Sequence, residues 1–307
     1  MLDMHFAAQS TAVVPRSLDG SGTAMRVVRA SHLGMCFGVR EAIAKVLRAA
    51  ERGPLTVLGE LVHNEAVLER LAARGVRVCR ELDEVETPCA AITAHGLSQA
   101  RRAAMRARGL TVLDATCPIV RAAQRAVTAL VRDGFHPVII GTPRHVEVRG
   151  LTEDLAAFDV VSSEADVEAL PPQPRFGVAA QTTQPIERVR HFVSLLRSRY
   201  PRSEVHVAET VCMPTRLRQE AAEMLAAECD VTVVVGGAGS NNTRELAATC
   251  RRHCGRVFLV QDARDLRPEW FTGARVAGIT AGTSTPEDVI AGVEAAMRDI
   301  ARAETGK

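Results

Sequence analysis

The chain of 307 residues is 47% hydrophobic and 24% charged, a balance that excludes wholesale disorder and leaves room for two or three compact units. Its 38 basic and 36 acidic residues leave a net charge of +2, and only 3% of residues are aromatic. Neither the electrostatic footprint of a nucleic-acid or membrane-surface binder nor a base-stacking platform is present, so the expected partners are small molecules or other proteins.

The opening stretch MLDMHFAAQSTAVVPRSLDG places Asp3 before any basic residue and holds no apolar run of signal-peptide length. No later segment approaches the roughly 18 apolar residues of a membrane helix. Residues 1–24 read as an N-terminal extension, and the expected location is cytoplasmic. Thiols in that compartment stay reduced, so the eight cysteines are not a disulfide framework. Their placement carries the information instead.

In chain order, SHLGMCFGVREAI (31–43) sets Cys36 between an apolar segment and a helix-period run over 39–53, with Val39, Ile43, Val46, Leu47 and Ala50 on one face. LVHNEAV supplies His63, and the β-rich AAITAHGLS ends on His95 and Ser98. LTVLDATCPIV repeats the first arrangement: Cys117 follows a strand-like run and precedes Pro118 and a helix over 118–134. PVIIGTPRHVEVRG then brings His145 and Glu147, and FGVAAQTTQP brings Thr182. VHVAETVCMPTRL places Cys212 before a helix over 214–228, with Pro214 in its first turn. VTVVVGGAGSNNT and VAGITAGTSTPE close the series with Ser240, Asn241, Asn242 and Ser284.

Strands alternating with helices of this length predict α/β units with parallel sheets, whose ligands gather beyond the carboxyl ends of the strands. The spacing of the three junction cysteines predicts three similar α/β lobes: 25–117, 118–208 and 209–296, followed by a tail at 297–307. A helix N-terminus carries partial positive charge and unsatisfied N–H groups, which favour anionic sulfur. Three such thiolates converging suit an iron–sulfur cluster with one iron left open, whereas a lone free cysteine is ordinarily a small buried hydrophobe. The glycine-rich turns with His, Ser and Asn donors suit a phosphate or diphosphate.

These stretches together resemble the 4-hydroxy-3-methylbut-2-enyl diphosphate reductase family: GMCFGV around Cys36, VHN at 62–64, AHGLS at 94–98, DATCP at 114–118, HVE at 145–147, QTT at 181–183, Cys212, SNN at 240–242 and TAGTSTP at 280–286. The match runs in order from about residue 26 to 296. The resemblance implies three lobes in a pseudo-threefold arrangement around a central [4Fe-4S] cluster, held by Cys36, Cys117 and Cys212 with one open iron. It implies reductive dehydroxylation of the allylic diphosphate to isopentenyl and dimethylallyl diphosphates with two electrons and two protons. Substrate binding then falls to His63, His95, His145, Ser240, Asn241, Asn242 and Ser284. Glu147 delivers protons, and Thr182 hydrogen-bonds near the substrate hydroxyl. No GxGxxG fingerprint is evident, so the implied electron donor is a ferredoxin or flavodoxin.

The chain departs from the commoner family pattern at Met35, Phe37, Val146, Arg149, Met213, Pro214 and Asn241. Arg149 is expected to add a cation near the diphosphate. A non-catalytic iron–sulfur or diphosphate-binding sensor on the same scaffold, or a phosphosugar-binding protein without a cluster, are the competing readings; a sensor has no need of Glu147. Cys79 and Cys89 read as core, and Cys250 and Cys254 with His253 lack the second ligand pair of a zinc site. The basic run 101–109 reads as a solvated helix face, with docking of an acidic electron carrier as its other reading.

Overall fold

A computed structural model describes residues 25–305. The N-terminal extension, residues 1–24, lies outside the described residues. Three four-stranded sheets, every neighbouring pair parallel, carry the fold. The first holds β2 (Leu55–Leu58), β3 (Arg77–Cys79), β4 (Cys89–Ile92) and β5 (Thr111–Asp114), in the order β3-β2-β4-β5. The second holds β6 (His136–Ile140), β7 (Asp159–Val161), β8 (Arg175–Ala180) and β9 (Glu204–Val207), in the order β7-β6-β8-β9. The third holds β10 (Val231–Val235), β11 (Val257–Val260) and β12 (Val276–Ala281), with β1 (Arg26–Arg29) alongside β12.

The central strands LTVL, PVII and VTVVV are buried along their length, as parallel strands covered by helices on both faces must be. Amphipathic helices cover them. Among these are α1 (Phe37–Ala50), α4 (Pro118–Arg132), α8 (Met213–Glu228) and α10 (Glu287–Thr305). The three-lobed α/β class expected from the sequence is therefore the observed one, but two boundaries move. β1 pairs Arg26 with Val276 and Arg29 with Ile279, so it completes the third sheet rather than beginning the first. It occupies there the place that β5 and β9 occupy in the other two. The expected tail at 297–307 is for the most part the last turns of α10, where Met297 and Ala301 are buried against the third sheet's core.

The repeat explains the cysteines. Each sheet's outer fourth strand, β1, β5 or β9, runs out to a cysteine that caps a helix crossing into the next lobe. Cys36 caps α1, Cys117 caps α4 and Cys212 caps α8. Among the described residues no helix is long and apolar enough to cross a membrane.

Candidate active site

Six strand ends build the site. The first central strand of each lobe, β2, β6 and β10, leads to the loop carrying His63, His145 or Ser240. The second, β4, β8 and β12, leads to His95, Thr182 or Ser284. The helices that follow are capped locally: Asn64 accepts from the Val67 N–H at the start of α2 (Glu65–Ala72), and Ser240 accepts from the Thr243 N–H at the start of α9 (Asn241–Arg251). His145 caps α5 (Val146–Thr152), its Nδ1 accepting the Glu147 N–H at 3.1 Å.

One cavity of about 40 Å³ is lined by all three lobes: Val39, Val62, His63 and His95 from the first, His145 and Thr183 from the second, and Ser240, Asn241, Asn242, Thr283 and Ser284 from the third. His63 and His95 stack at 4.5 Å, and each lies 5.5 Å from His145. Burial and mutual repulsion hold His95 well below the ordinary histidine range and bring His145 down to about 4, so both rings are neutral near pH 7. A ring nitrogen that accepts a hydrogen bond carries no proton, so the neutral His145 ring bears its proton on Nε2. That tautomer presents a donor, which suits an anion and opposes a metal ion, although the three rings are close enough to hold one. Three buried polar atoms of the cavity residues, His95 Nδ1, Asn242 Nδ2 and Ser284 Oγ, have no hydrogen-bond partner among the described residues. Unpaired buried donors of this kind are costly unless a ligand satisfies them.

Glu147 is 2% exposed. The Thr182 N–H donates to its Oε1 at 2.6 Å and the Thr182 hydroxyl to its Oε2 at 3.1 Å. These bonds favour the carboxylate, but burial outweighs them and raises the carboxyl to about 7. A charge on Glu147 acts on both Cys117 and Cys212, as does one on Cys36, which puts the acid and the three thiols in one neighbourhood.

The thiols fit a cluster rather than a single ion. None of the three is a side-chain helix cap in the manner of Ser or Asp, and Cys212 Sγ lies 2.9 Å from the Thr215 hydroxyl. Among the described residues the only trio close enough for one metal ion is the histidine set, whereas cluster thiolates each bind a different iron and stand further apart. Burial raises the Cys117 thiol and pushes Cys212 up to about 11, outweighing the N–H groups at the helix starts that favour anionic sulfur. A Cβ on Gly38 would lie 2.4 Å from Cys117 Sγ, so only glycine lets the first turn of α1 close on that sulfur.

The family model described as LytB protein matches residues 27–298. The chain belongs to the LytB family. It is 40% identical over 270 residues to the 4-hydroxy-3-methylbut-2-enyl diphosphate reductase of Geobacter sp. (strain M21), covering 87% of this chain and 94% of that one. The enzyme of that name from Geobacter sulfurreducens is 37% identical over the same shares. Among solved structures, the E-1-hydroxy-2-methyl-but-2-enyl-4-diphosphate reductase from Plasmodium falciparum superposes with a TM-score of 0.82 at 25% identity, covering 88% of this chain and 86% of that chain. An (E)-4-hydroxy-3-methyl-but-2-enyl diphosphate reductase, described as the terminal enzyme of the non-mevalonate pathway, matches with a TM-score of 0.64 at 34% identity, over 90% of this chain and all of that one.

Within this LytB-family fold, Arg149 is a correction. Its guanidinium pairs with Glu153 one turn along α5, at 2.8 Å, and is half exposed, so it adds no cation to the cavity. Asn241 lines the cavity, but its amide is engaged between lobes: it accepts from the Thr142 hydroxyl at 3.3 Å and donates to the Thr183 hydroxyl at 3.2 Å. Cys79 and Cys89 are half-buried rather than core, because β3 is an edge strand and Cys89 opens β4. Cys250 and Cys254 are buried with Leu246 and Ala247, while His253 turns to Glu223 at 3.0 Å. Sequence reasoning missed Gly38, whose requirement appears only when another lobe's sulfur is seen beside it. It also missed Thr183 and Thr283; their place in the QTT and GTS runs was the available signal.

Proposed function

We propose that this chain is a 4-hydroxy-3-methylbut-2-enyl diphosphate reductase, converting that substrate and two electrons and two protons into isopentenyl or dimethylallyl diphosphate and water. The observation that carries the reading is a buried carboxyl held near pKa 7 beside three helix-capping thiols and a cavity with unsatisfied polar groups. Cys36, Cys117 and Cys212 hold a [4Fe-4S] cluster, which when bound supplies the electrons and polarises the leaving hydroxyl.

The remaining work belongs to the chain's own side chains. The His145 Nε2–H, the Asn242 amide and the Ser284 hydroxyl bind the diphosphate, and Ser240 at the start of α9 adds the positive end of that helix. His95, stacked on His63 and close to the arriving anion, takes up a proton as it binds, because an opposite charge raises a histidine pKa. Asn241 holds the third lobe's donors against the second lobe. The Glu147 carboxyl keeps its proton in the dry site until the departing oxygen needs it, and the Thr182 N–H holds Oε1 in place while that transfer occurs. The diphosphate's own charge further favours the protonated acid. A non-catalytic sensor has no use for an acid tuned in this way.

Electrons come from a ferredoxin or flavodoxin, and the cytoplasm is the location that suits such a partner and a reduced thiol set. The test is anaerobic purification with iron and sulfide quantitation, followed by turnover of the allylic diphosphate with methyl viologen as reductant. Cys117→Ser should abolish cluster content and Cys79→Ser should not. A colourless anaerobic preparation that reconstitutes no iron would end the reading.

A further inference from the structure

The segments after the three site cysteines share a pattern: CFGVR at 36–40, CPIVR at 117–121 and CMPTR at 212–216. In each, the residue after the cysteine is apolar and the fourth is arginine. All three apolar residues, Phe37, Pro118 and Met213, are exposed. Among the described residues Phe37, at 53% exposure, and Met213, at 58%, are two of six large apolar side chains left out in solvent. Each directly follows a cysteine of the set that shares one neighbourhood, which gathers these exposed apolar side chains around that set.

The arginines stay at the same end of their helices. The Arg40 guanidinium reaches back to the Met35 carbonyl at 3.4 Å, and Arg121 to Asp114 at 3.2 Å. Arg216 Nε is buried without a partner among the described residues. Arg218 adds a fourth cation, bound to the Gly34 and Pro214 carbonyls at 2.9 Å. Against these stands Asp114, already shared by Arg102 and Arg121. Three helix N-termini point the same partial charge at this place. In a chain whose net charge is only +2, each of the three cysteines thus has an arginine one helical turn along, its N–H bonded to the cysteine carbonyl.

We propose that this face docks an acidic one-electron carrier protein, with Phe37, Pro118 and Met213 as the apolar centre and Arg40, Arg121 and Arg216 as the cationic rim. An apolar centre inside a charged rim is the anatomy of a transient protein interface, and the field sets the encounter rate. The proposal rests on the reading that the three cysteines hold the redox cluster, each of them followed directly by one of these exposed apolar residues. The carrier and the substrate do not compete: Val39, which lines the diphosphate cavity, lies about 200° round α1 from Phe37. The basic run 101–109 is the rival site, but Arg102 is buried against Asp114 and Arg101 faces Glu81.

The test uses the cluster-loaded protein and an acidic [2Fe-2S] ferredoxin as probe. Binding is read by isothermal titration calorimetry at several salt concentrations, and turnover is driven either by that ferredoxin or by methyl viologen. Arg40→Glu and the double variant Phe37→Ser with Met213→Ser should each weaken ferredoxin binding about tenfold or more, and raise the ferredoxin KM in step. Methyl viologen turnover should stay within about threefold, which also certifies folding; Arg40→Gln is the milder variant if Arg40→Glu loses cluster. Unchanged ferredoxin affinity in these variants, with a loss in Arg106→Glu instead, overturns the proposal. Absence of methyl viologen turnover in the unaltered, cluster-loaded protein overturns the reductase reading instead, and the two failures are thus distinct.

Discussion

Thr182 and Glu147 meet through two hydrogen bonds, one from the Thr182 N–H to Oε1 at 2.6 Å and one from its hydroxyl to Oε2 at 3.1 Å. The pair joins the end of β8 to the first turn of α5, so the acid is fixed by backbone on one side and by a side chain on the other. Replacing Glu147 by Gln keeps an acceptor for the N–H and removes the ionisable proton. Turnover should fall by about 10²-fold or more while iron and sulfide content hold. Unchanged turnover would take Glu147 out of the chemistry.

The same carboxyl makes a stability prediction. Its folded-state pKa is raised from 4.5 to about 7, so between those values the folded protein holds a proton that the unfolded chain releases. Stability contributed by this group is present below pH 4.5 and is lost as pH rises through 7, by an amount on the order of 3 kcal/mol. Glu147→Gln should flatten that part of the pH–stability curve in the cluster-free protein, measured by urea denaturation between pH 5 and 8. Equal slopes for both proteins would contradict the burial argument.

The histidines run the other way. His95 and His145 are held below the ordinary value of 6.5, so their contribution to folding is present above pH 6.5 and is lost on acidification below it. Pyrophosphate binding should raise both pKa values and take up protons. Calorimetric titration at pH 7 in buffers of different ionisation enthalpy should show net uptake, and affinity should rise as pH falls from 8 to 6. Binding without proton uptake would mean that the imidazoles meet the anion only as neutral donors.

Gly38→Ala would normally stabilise a helix by about 1 kcal/mol. Here the added Cβ falls 2.4 Å from Cys117 Sγ, so the substitution should lower the melting temperature and cut iron incorporation on anaerobic reconstitution. Normal iron content would show that α1 shifts freely and that the three thiols are not held in a fixed arrangement.

Asn241 links the third lobe to Thr142 and Thr183 of the second. Asn241→Ala should lower pyrophosphate affinity about tenfold in the cluster-free protein by loosening the donors of α9, while Arg149→Ala, which only breaks a surface pair, should change it little. Calorimetry on the two variants checks both, and equal effects would remove the positioning role of Asn241.

Apolar periodicity determined the helices at 39–53, 118–134 and 214–228 and the buried strands between them, because a parallel sheet covered on both faces leaves a near-continuous hydrophobic signature. It also exposed the strand-to-helix placement of Cys36, Cys117 and Cys212, since the proline after two of them marks a first helical turn. What it left open were relations between distant segments. β1 belongs to the third sheet through pairing with β12, and hydrogen bonding across 250 residues leaves no trace in local pattern. Arg149 turns away from the cavity because a glutamate one turn on draws it, and Asn241 spans two lobes because Thr142 and Thr183 stand opposite. Residue types are fixed by the chain, whereas burial, neighbours and therefore protonation are fixed only by packing. That is why the acid character of Glu147 belongs to the tertiary structure alone.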